Sequence, residues 1–193
     1  MTQALHKHWN SYYDQGRDFR FVTSATMNKL LSYYNNNAPK TVLDIGCGTG
    51  QLTRELWHRG YKVVGIDVSK SALTIAKALT IVPDTELYYT QIDIEQDSVA
   101  NLPFQPYGLI TCKLVYAFMR DKPALLKTVT QLLDSSGIFV VMTPLVETTP
   151  PEKKGIAVSQ EEVAVLREQF EQLAWYEEHD LGFFVGTRKL TVR

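Results

Sequence analysis

The feature that most constrains this chain is an apolar run that stops on three alternating glycines and resumes as a helix, "TVLDIGCGTGQLTRELWHRG", Thr41 to Gly60. Val42, Leu43 and Ile45 read as a strand. Gly46, Gly48 and Gly50 then remove side chains from alternate positions of the turn, which lets backbone N–H groups come close to a ligand. Gln51 to Arg59 follows as a helix, with Leu52 and Leu56 at i, i+4 and Gly60 as its C-terminal stop. In open α/β sheets, a glycine-rich turn after the first parallel strand lies at the ligand crevice.

The rest of the chain supplies what such a sheet needs. "KVVGI", "ELYYTQI", "GLITC" and "GIFVVM" are short, rich in β-branched or aromatic residues and bounded by Gly, Pro or Asp. Helical patterns lie between them. Ser71 to Leu79 puts Ala72, Ile75, Ala76 and Leu79 on one face, with Ser69 as N-cap and Pro83 beyond the end. Another helix starts at Pro123 and carries Leu125, Leu126, Val129, Leu132 and Leu133 before Gly137. "LVETTPPEKKG" reads as a long loop, and Ser159 with Glu162 forms a capping box opening a helix that carries Val163, Leu166, Phe170 and Leu173. "AWYEEHD" and "FFVGTRKL", separated by Leu181 and Gly182, form a closing antiparallel hairpin. The predicted fold class is therefore α/β: a seven-stranded, mostly parallel, Rossmann-like sheet with helices on both faces and a C-terminal antiparallel hairpin.

Composition narrows the function classes. A length of 193 residues predicts one domain spanning 1–193, with 45% hydrophobic and 21% charged residues, as in ordinary globular proteins. The net charge of -1 and the lack of a long basic run argue against nucleic acid as the main partner. No apolar run approaches the roughly 18 residues of a membrane span, and the N-terminus lacks the apolar core of a signal peptide, so a cytoplasmic protein is expected. Cys47 and Cys112 have no metal-ligand spacing, and no metal site is expected.

A dinucleotide fingerprint, G-x-G-x-x-G, would need glycine where the chain has Gln51, which disfavours a nicotinamide-dependent oxidoreductase. The string "DIGCGTG" instead resembles motif I of the class I S-adenosylmethionine-dependent methyltransferases, as does the strand order ending in a hairpin. The resemblance runs from about Thr41 to the C-terminus. It implies that Gly46, Cys47, Gly48 and Gly50 cradle S-adenosylmethionine, with S-adenosylhomocysteine as product. Asp67, ending the second strand seventeen residues after Gly50, is implied to bond the ribose hydroxyls, and Val68 to pack on the adenine. In "QIDIE", Asp93 matches the carboxylate that accepts from the adenine amino group, with Ile94 along the ring edge. Asp44 is implied to lie near the methionine end, with ordering of the glycine loop as its alternative role. Where many members have an aromatic residue followed by Asp, this chain has Tyr107-Gly108, a departure that bears on the turn into strand four.

The same resemblance places the methyl acceptor over the ends of strands four and five. Members that methylate adenine or glutamine amino groups carry an Asn- or Asp-Pro-Pro-aromatic motif there. This chain has Cys112-Lys113-Leu114-Val115, which argues against those substrates; the partner expected is a small-molecule methyl acceptor, with no nucleic acid and no membrane. Lys113 and Tyr116 are candidate catalytic residues, Lys113 also for the cofactor, and "LVETTPPEKKG" is a candidate pocket wall. The resemblance also implies that residues 1–30 form a helical cover across the cofactor, and "HKHWNSYYDQGRDFR" concentrates aromatic and basic groups there, before the first strand. Within it Tyr12, Tyr13 or an arginine (Arg17, Arg20) is expected at the cofactor carboxylate, and Tyr13 is a further catalytic candidate. A methyltransferase-fold binding protein or inactive partner subunit, with the cofactor motifs but no acceptor of its own, is the alternative.

Overall fold

The computed structural model describes residues 2–19, 21–80 and 85–187. Two helices, α1 (Thr2–Asp14) and α2 (Ser24–Leu31), precede β1 (Thr41–Ile45), α3 (Gln51–His58), β2 (Lys62–Asp67), α4 (Lys70–Ala78) and β3 (Leu87–Gln91). Then come β4 (Tyr107–Lys113), α5 (Lys122–Leu132), β5 (Leu133–Thr143), α6 (Gln160–Gln169), β6 (Gln172–Glu178) and β7 (Leu181–Thr187). The seven strands form one sheet in the order β3-β2-β1-β4-β5-β7-β6. β1 to β5 run parallel, and β7 is antiparallel to both of its neighbours, β5 and β6.

The period of two along each strand divides the core between the faces. Leu43 and Ile45 of β1, Ile110 of β4 and Phe139 and Val141 of β5 pack with Leu125, Leu126 and Val129 of α5 and Val163 and Leu166 of α6. Val42, Leu109, Val140 and Met142 face the other way, onto Met27 and Leu30 of α2 and Leu52 and Leu56 of α3. Both faces of the central strands are dry, which explains their nearly continuous apolar sequences.

The helix signals work as the residues predict. The Ser69 hydroxyl accepts from the Ala72 N–H, Pro123 lies in the first turn of α5, and Ser159 and Glu162 form the reciprocal capping box of α6. Three boundaries move. Leu133, counted in the α5 stripe, is extended at φ -78°, ψ 134° and opens β5, pairing with Tyr107 ahead of a register shift. Phe170 and Leu173 lie beyond the end of α6, Leu173 in β6. The hairpin reverses at His179 and Asp180, with φ of 53° and 59°, whereas Leu181 and Gly182 already pair across it with Glu178 and Glu177. A two-residue loop with both φ positive matches strand twist, and Asp tolerates that conformation. "LVETTPPEKKG" is not all loop: Pro151–Ile156 is a 3-10 helix, and Leu145 makes a parallel bridge to Val158. Pro83 and the Arg188–Leu190 end of the last predicted strand lie outside the described residues.

The Tyr107-Gly108 departure has a packing reason. A Cβ at Gly108 would overlap the Pro39 carbonyl, so glycine lets the segment before β1 close on β4. Thr41 Oγ1 accepts from the Gly108 N–H at 3.2 Å and donates to the Pro106 carbonyl at 2.8 Å.

Candidate functional site

One side of the candidate site is built from the carboxyl ends of β1, β2 and β3. Asp44, the fourth residue of β1, is buried; its Oδ1 accepts from Thr111 Oγ1 of β4 at 2.8 Å and its Oδ2 from Thr53 Oγ1 of α3 at 2.7 Å. It ties two strands and a helix together beneath the glycine turn. Above it the Cys47 N–H donates to the Ile66 carbonyl and the Gly50 N–H to the Cys47 carbonyl. Asp67 completes the turn: its Oδ2 accepts from the Gly48 N–H and its Oδ1 from the Ser69 N–H, both at 2.8 Å. Burial pushes the Asp44 and Asp67 carboxyls up, opposed in each case by these hydrogen bonds.

Gly46 and Gly48 have φ of 66° and 55°, a region L side chains rarely adopt. Space forbids a side chain as well. A Cβ on Gly46 would overlap Val115, and one on Gly48 would sit 2.7 Å from the Tyr13 hydroxyl. Gly50 opens α3 and faces the Tyr89 hydroxyl, away from the cavity.

Asp93 is 4% exposed and unevenly used. Its Oδ1 accepts from the Glu95 N–H at 3.1 Å, but its Oδ2 is buried with no hydrogen-bond partner among the described residues. His6 Nε2 is 3.7 Å from Oδ2, too far for a hydrogen bond, and it is equally unpartnered. Val68, Ile92 and Ile94 complete this side of the cavity.

The opposite wall comes from the N-terminal segment and the turn after β4. α1 docks through Asn10, whose Oδ1 accepts from Ser69 Oγ at 2.8 Å and from the Ser71 N–H at 3.2 Å, at the start of α4. Asp18 Oδ2 accepts from Thr49 Oγ1 at 2.6 Å. These contacts lay Trp9 and Tyr13, one helical turn apart, over the glycine loop. Burial and the Asp67 and Asp18 charges push the Tyr13 phenol far above its usual range, so it stays protonated. Beyond Lys113, Leu114 adopts φ 59°, a conformation costing on the order of 1 kcal/mol for a branched side chain. This bend accompanies Val115 over Gly46 and brings Phe118 to within 5.2 Å of Trp9, edge to face. Glu95 fastens the turn, accepting from the Arg120 and Asp121 N–H groups at 2.8 and 2.9 Å and from Arg120 Nε at 3.2 Å.

Of the residues expected from sequence, Asp44, Gly46, Cys47, Gly48, Asp67, Val68, Asp93, Ile94, Lys113 and Tyr13 line one cavity. Four expectations are corrected, the first being Gly50, which faces the Tyr89 hydroxyl outside the cavity. Tyr116 is fully buried in the core, because the 3-10 turn Tyr116–Phe118 points it inward; its hydroxyl donates to the Glu162 carbonyl, and Phe118 takes the cavity position. Tyr12 stacks on Phe19 at 5.0 Å with Arg17 at 5.5 Å from its ring, outside the cavity that Tyr13 lines. The segment from Pro144 to Val158 does not line the cavity either, and Arg20 lies outside the described residues. Sequence reasoning missed Asp18, Phe19, Glu95, Phe118 and Met119. Only the i, i+4 pair Trp9 and Tyr13 carried a signal for that wall. Among the described residues there is no cluster of metal-ligating side chains and no helix long and apolar enough to cross a membrane.

The sequence profile of the methyltransferase domain family matches residues 15–191. The chain is 30% identical over 116 residues to a ubiquinone biosynthesis O-methyltransferase of Aliivibrio fischeri, 60% of this chain and 49% of that protein. It is 26% identical over 136 residues to a protein of the same description from Nitrosomonas europaea, 70% of this chain and 57% of that one. It thus spans about half the length of these relatives. Among solved structures, a magnesium protoporphyrin IX methyltransferase from Synechocystis with bound SAH superposes with a TM-score of 0.70 at 14% identity, covering 98% of this chain and 100% of that one. A TehB-like SAM-dependent methyltransferase from Corynebacterium glutamicum gives 0.65 at 17%, covering 97% and 98%. At these identities the likeness is one of fold.

Proposed function

This chain belongs to the class I S-adenosylmethionine-dependent methyltransferases, and we propose that it methylates a small-molecule acceptor by direct in-line displacement, as one domain whose cover is α1 and the segment to Phe19 rather than all of residues 1–30, since Val22, Met27 and Leu30 belong to the core. The observation that carries the reading is the pairing of a side-chain-free cradle at Gly46 and Gly48 with an orphan acceptor, Asp93 Oδ2, two strands away. Bound there, S-adenosylmethionine would supply a methyl group on a sulfonium, the acceptor's electron pair taking the methyl carbon while the C–S pair stays on sulfur to give S-adenosylhomocysteine.

The residues present fit that molecule. Each Asp67 oxygen spends one lone pair on a backbone N–H and keeps another for a ribose hydroxyl. Asp93 Oδ2 is assigned the adenine amino group, and Val68 and Ile94 the faces of the ring. Asp44 holds the turn in register at the methionine end. Tyr13, protonated and against Gly48, is a donor to the cofactor and closes the site from above. Holding two reactants in line contributes up to about 7 to 11 kcal/mol, so no nucleophilic side chain is required.

Titration calorimetry with S-adenosylhomocysteine and with NAD tests the cofactor. Saturable binding of the first and none of the second is expected; the reverse would overturn the assignment. A metabolite-library assay reading S-adenosylhomocysteine release then tests turnover. No release with an acceptor of any class would leave the protein a cofactor binder.

A further inference from the structure

Resting on the methyltransferase reading, we propose that Lys113 holds the anionic group of the methyl acceptor, and that the acceptor is a small monoanion with a flat apolar body. Among the described residues lining the cavity, Lys113 is the only cation, set at the end of β4 where the strand gives way to the Leu114 bend. Its ammonium has no hydrogen bond or ion pair among the described residues; the charges of Asp44 and Asp18 act on it only through space.

Those carboxylates are already engaged. Asp44 takes two threonine hydroxyls, and Asp18 takes Thr49 Oγ1 and the Phe19 N–H. Glu95 is committed to Arg120 and its neighbour. A partly buried ammonium left without a partner is costly in itself, and the cost is recovered when an anion arrives to be neutralised. Beside those polar groups the lining offers Trp9, Phe19, Leu114, Phe118 and Met119 as a mainly apolar surface. Trp9 meets Phe118 at 5.2 Å and Phe19 at 6.0 Å, ring edges suited to the faces of a planar guest. A neutral sugar or polyol would leave its hydroxyls unpaired against this wall. A cationic acceptor would face Lys113 directly.

The rival assignment for Lys113 is the carboxylate of the cofactor itself. The test uses protein saturated with S-adenosylhomocysteine, with benzoate and its neutral isostere benzamide as probes in calorimetry. Benzoate is expected to bind at least tenfold tighter than benzamide, with the preference lost in Lys113→Gln and restored in Lys113→Arg. In parallel, Lys113→Gln is titrated with S-adenosylhomocysteine and with 5′-methylthioadenosine, which lacks the amino-acid portion. Unchanged affinity for both supports the acceptor role. A tenfold loss for the first alone overturns it in favour of the cofactor carboxylate. Equal binding of benzoate and benzamide, or a preference surviving Lys113→Gln, also overturns it. Wild-type protein that fails to bind S-adenosylhomocysteine removes the methyltransferase reading, whereas S-adenosylhomocysteine binding without a benzoate preference removes this inference alone.

Discussion

The two walls of the cavity are made differently. The wall at the ends of β1, β2 and β3 is held by backbone N–H groups bonded to strand-terminal carboxylates, as where Asp67 takes Gly48 and Ser69. The facing wall, from α1 and the turn after β4, is held by side chains from distant segments, such as Asn10 on the start of α4, Asp18 on Thr49 and Trp9 against Phe118. One wall is rigid because the sheet makes it so, and the other is an apolar lining brought in by docking. The proposed cofactor lies against the first construction and the proposed acceptor against the second.

The largest expected effect is on the sheet-made wall. Gly48→Val would put a branched side chain at φ 55° and into the Tyr13 hydroxyl; S-adenosylhomocysteine binding should fall below detection in calorimetry while far-UV circular dichroism stays near wild type. Normal binding would mean that the loop is no cradle. Asp67→Ala comes next: it removes the acceptor of the Gly48 N–H and, on the proposed cofactor reading, the partner of two ribose hydroxyls, a loss on the order of 2 to 4 kcal/mol or one to three decades in affinity. Unchanged affinity in the folded variant would remove Asp67 from the site.

Shortening the chain to begin at Phe21 tests the docked wall. It deletes Trp9, Asn10, Tyr13 and Asp18 but leaves Val22 and α2 in the core. Cofactor affinity should drop by about tenfold, the scale of one or two lost hydrogen bonds, and acceptor turnover by more than that. Full turnover in a stable shortened chain would show that the two walls do not cooperate.

The smallest effect is one of stability. Burial lowers the Lys113 pKa from 10.5, so the folded state binds this proton less tightly than the unfolded state does. Its ammonium therefore costs stability at every pH below the lowered value, and the cost fades as pH rises from there to 10.5. Lys113→Met should raise the melting temperature at pH 7 by about 2 to 4 °C, for a gain on the order of 1 kcal/mol, and the gain should shrink in alkaline buffer. A melting temperature that falls at pH 7 would show that Lys113 has a partner in solution.

What was legible in the sequence follows the same division. The strands and the caps at Ser69 and Ser159 are readable because each acts through spacing along one segment; Gly46, Gly48, Asp67 and Asp93, expected from the glycine turn and the family resemblance, line one cavity. At Leu133 a helical apolar stripe runs unbroken into a buried strand, so periodicity does not mark the end of α5. The hairpin turn was placed two residues late because Gly182 outweighed His179-Asp180, an unusual pair at positive φ. Tyr116 and Phe118 exchanged roles through the direction of one 3-10 turn, which no periodicity encodes. Asp18 and Glu95 gain their roles only from partners 31 and 25 residues away.

The insertion of β7 between β5 and β6 has a consequence for synthesis on the ribosome. β5 finds β4 as soon as both have emerged, but its other edge waits for β7, which is made only after α6 and β6. At 5 to 20 residues per second, the stretch from Thr143 to Thr187 takes roughly 2 to 9 s to translate. Throughout that interval the nascent chain carries an unpaired edge running through Ile138, Val140 and Met142, apolar residues of the kind that recruit another strand. Yield in cells should therefore depend on whatever shields that edge during elongation as well as on the stability of the finished fold.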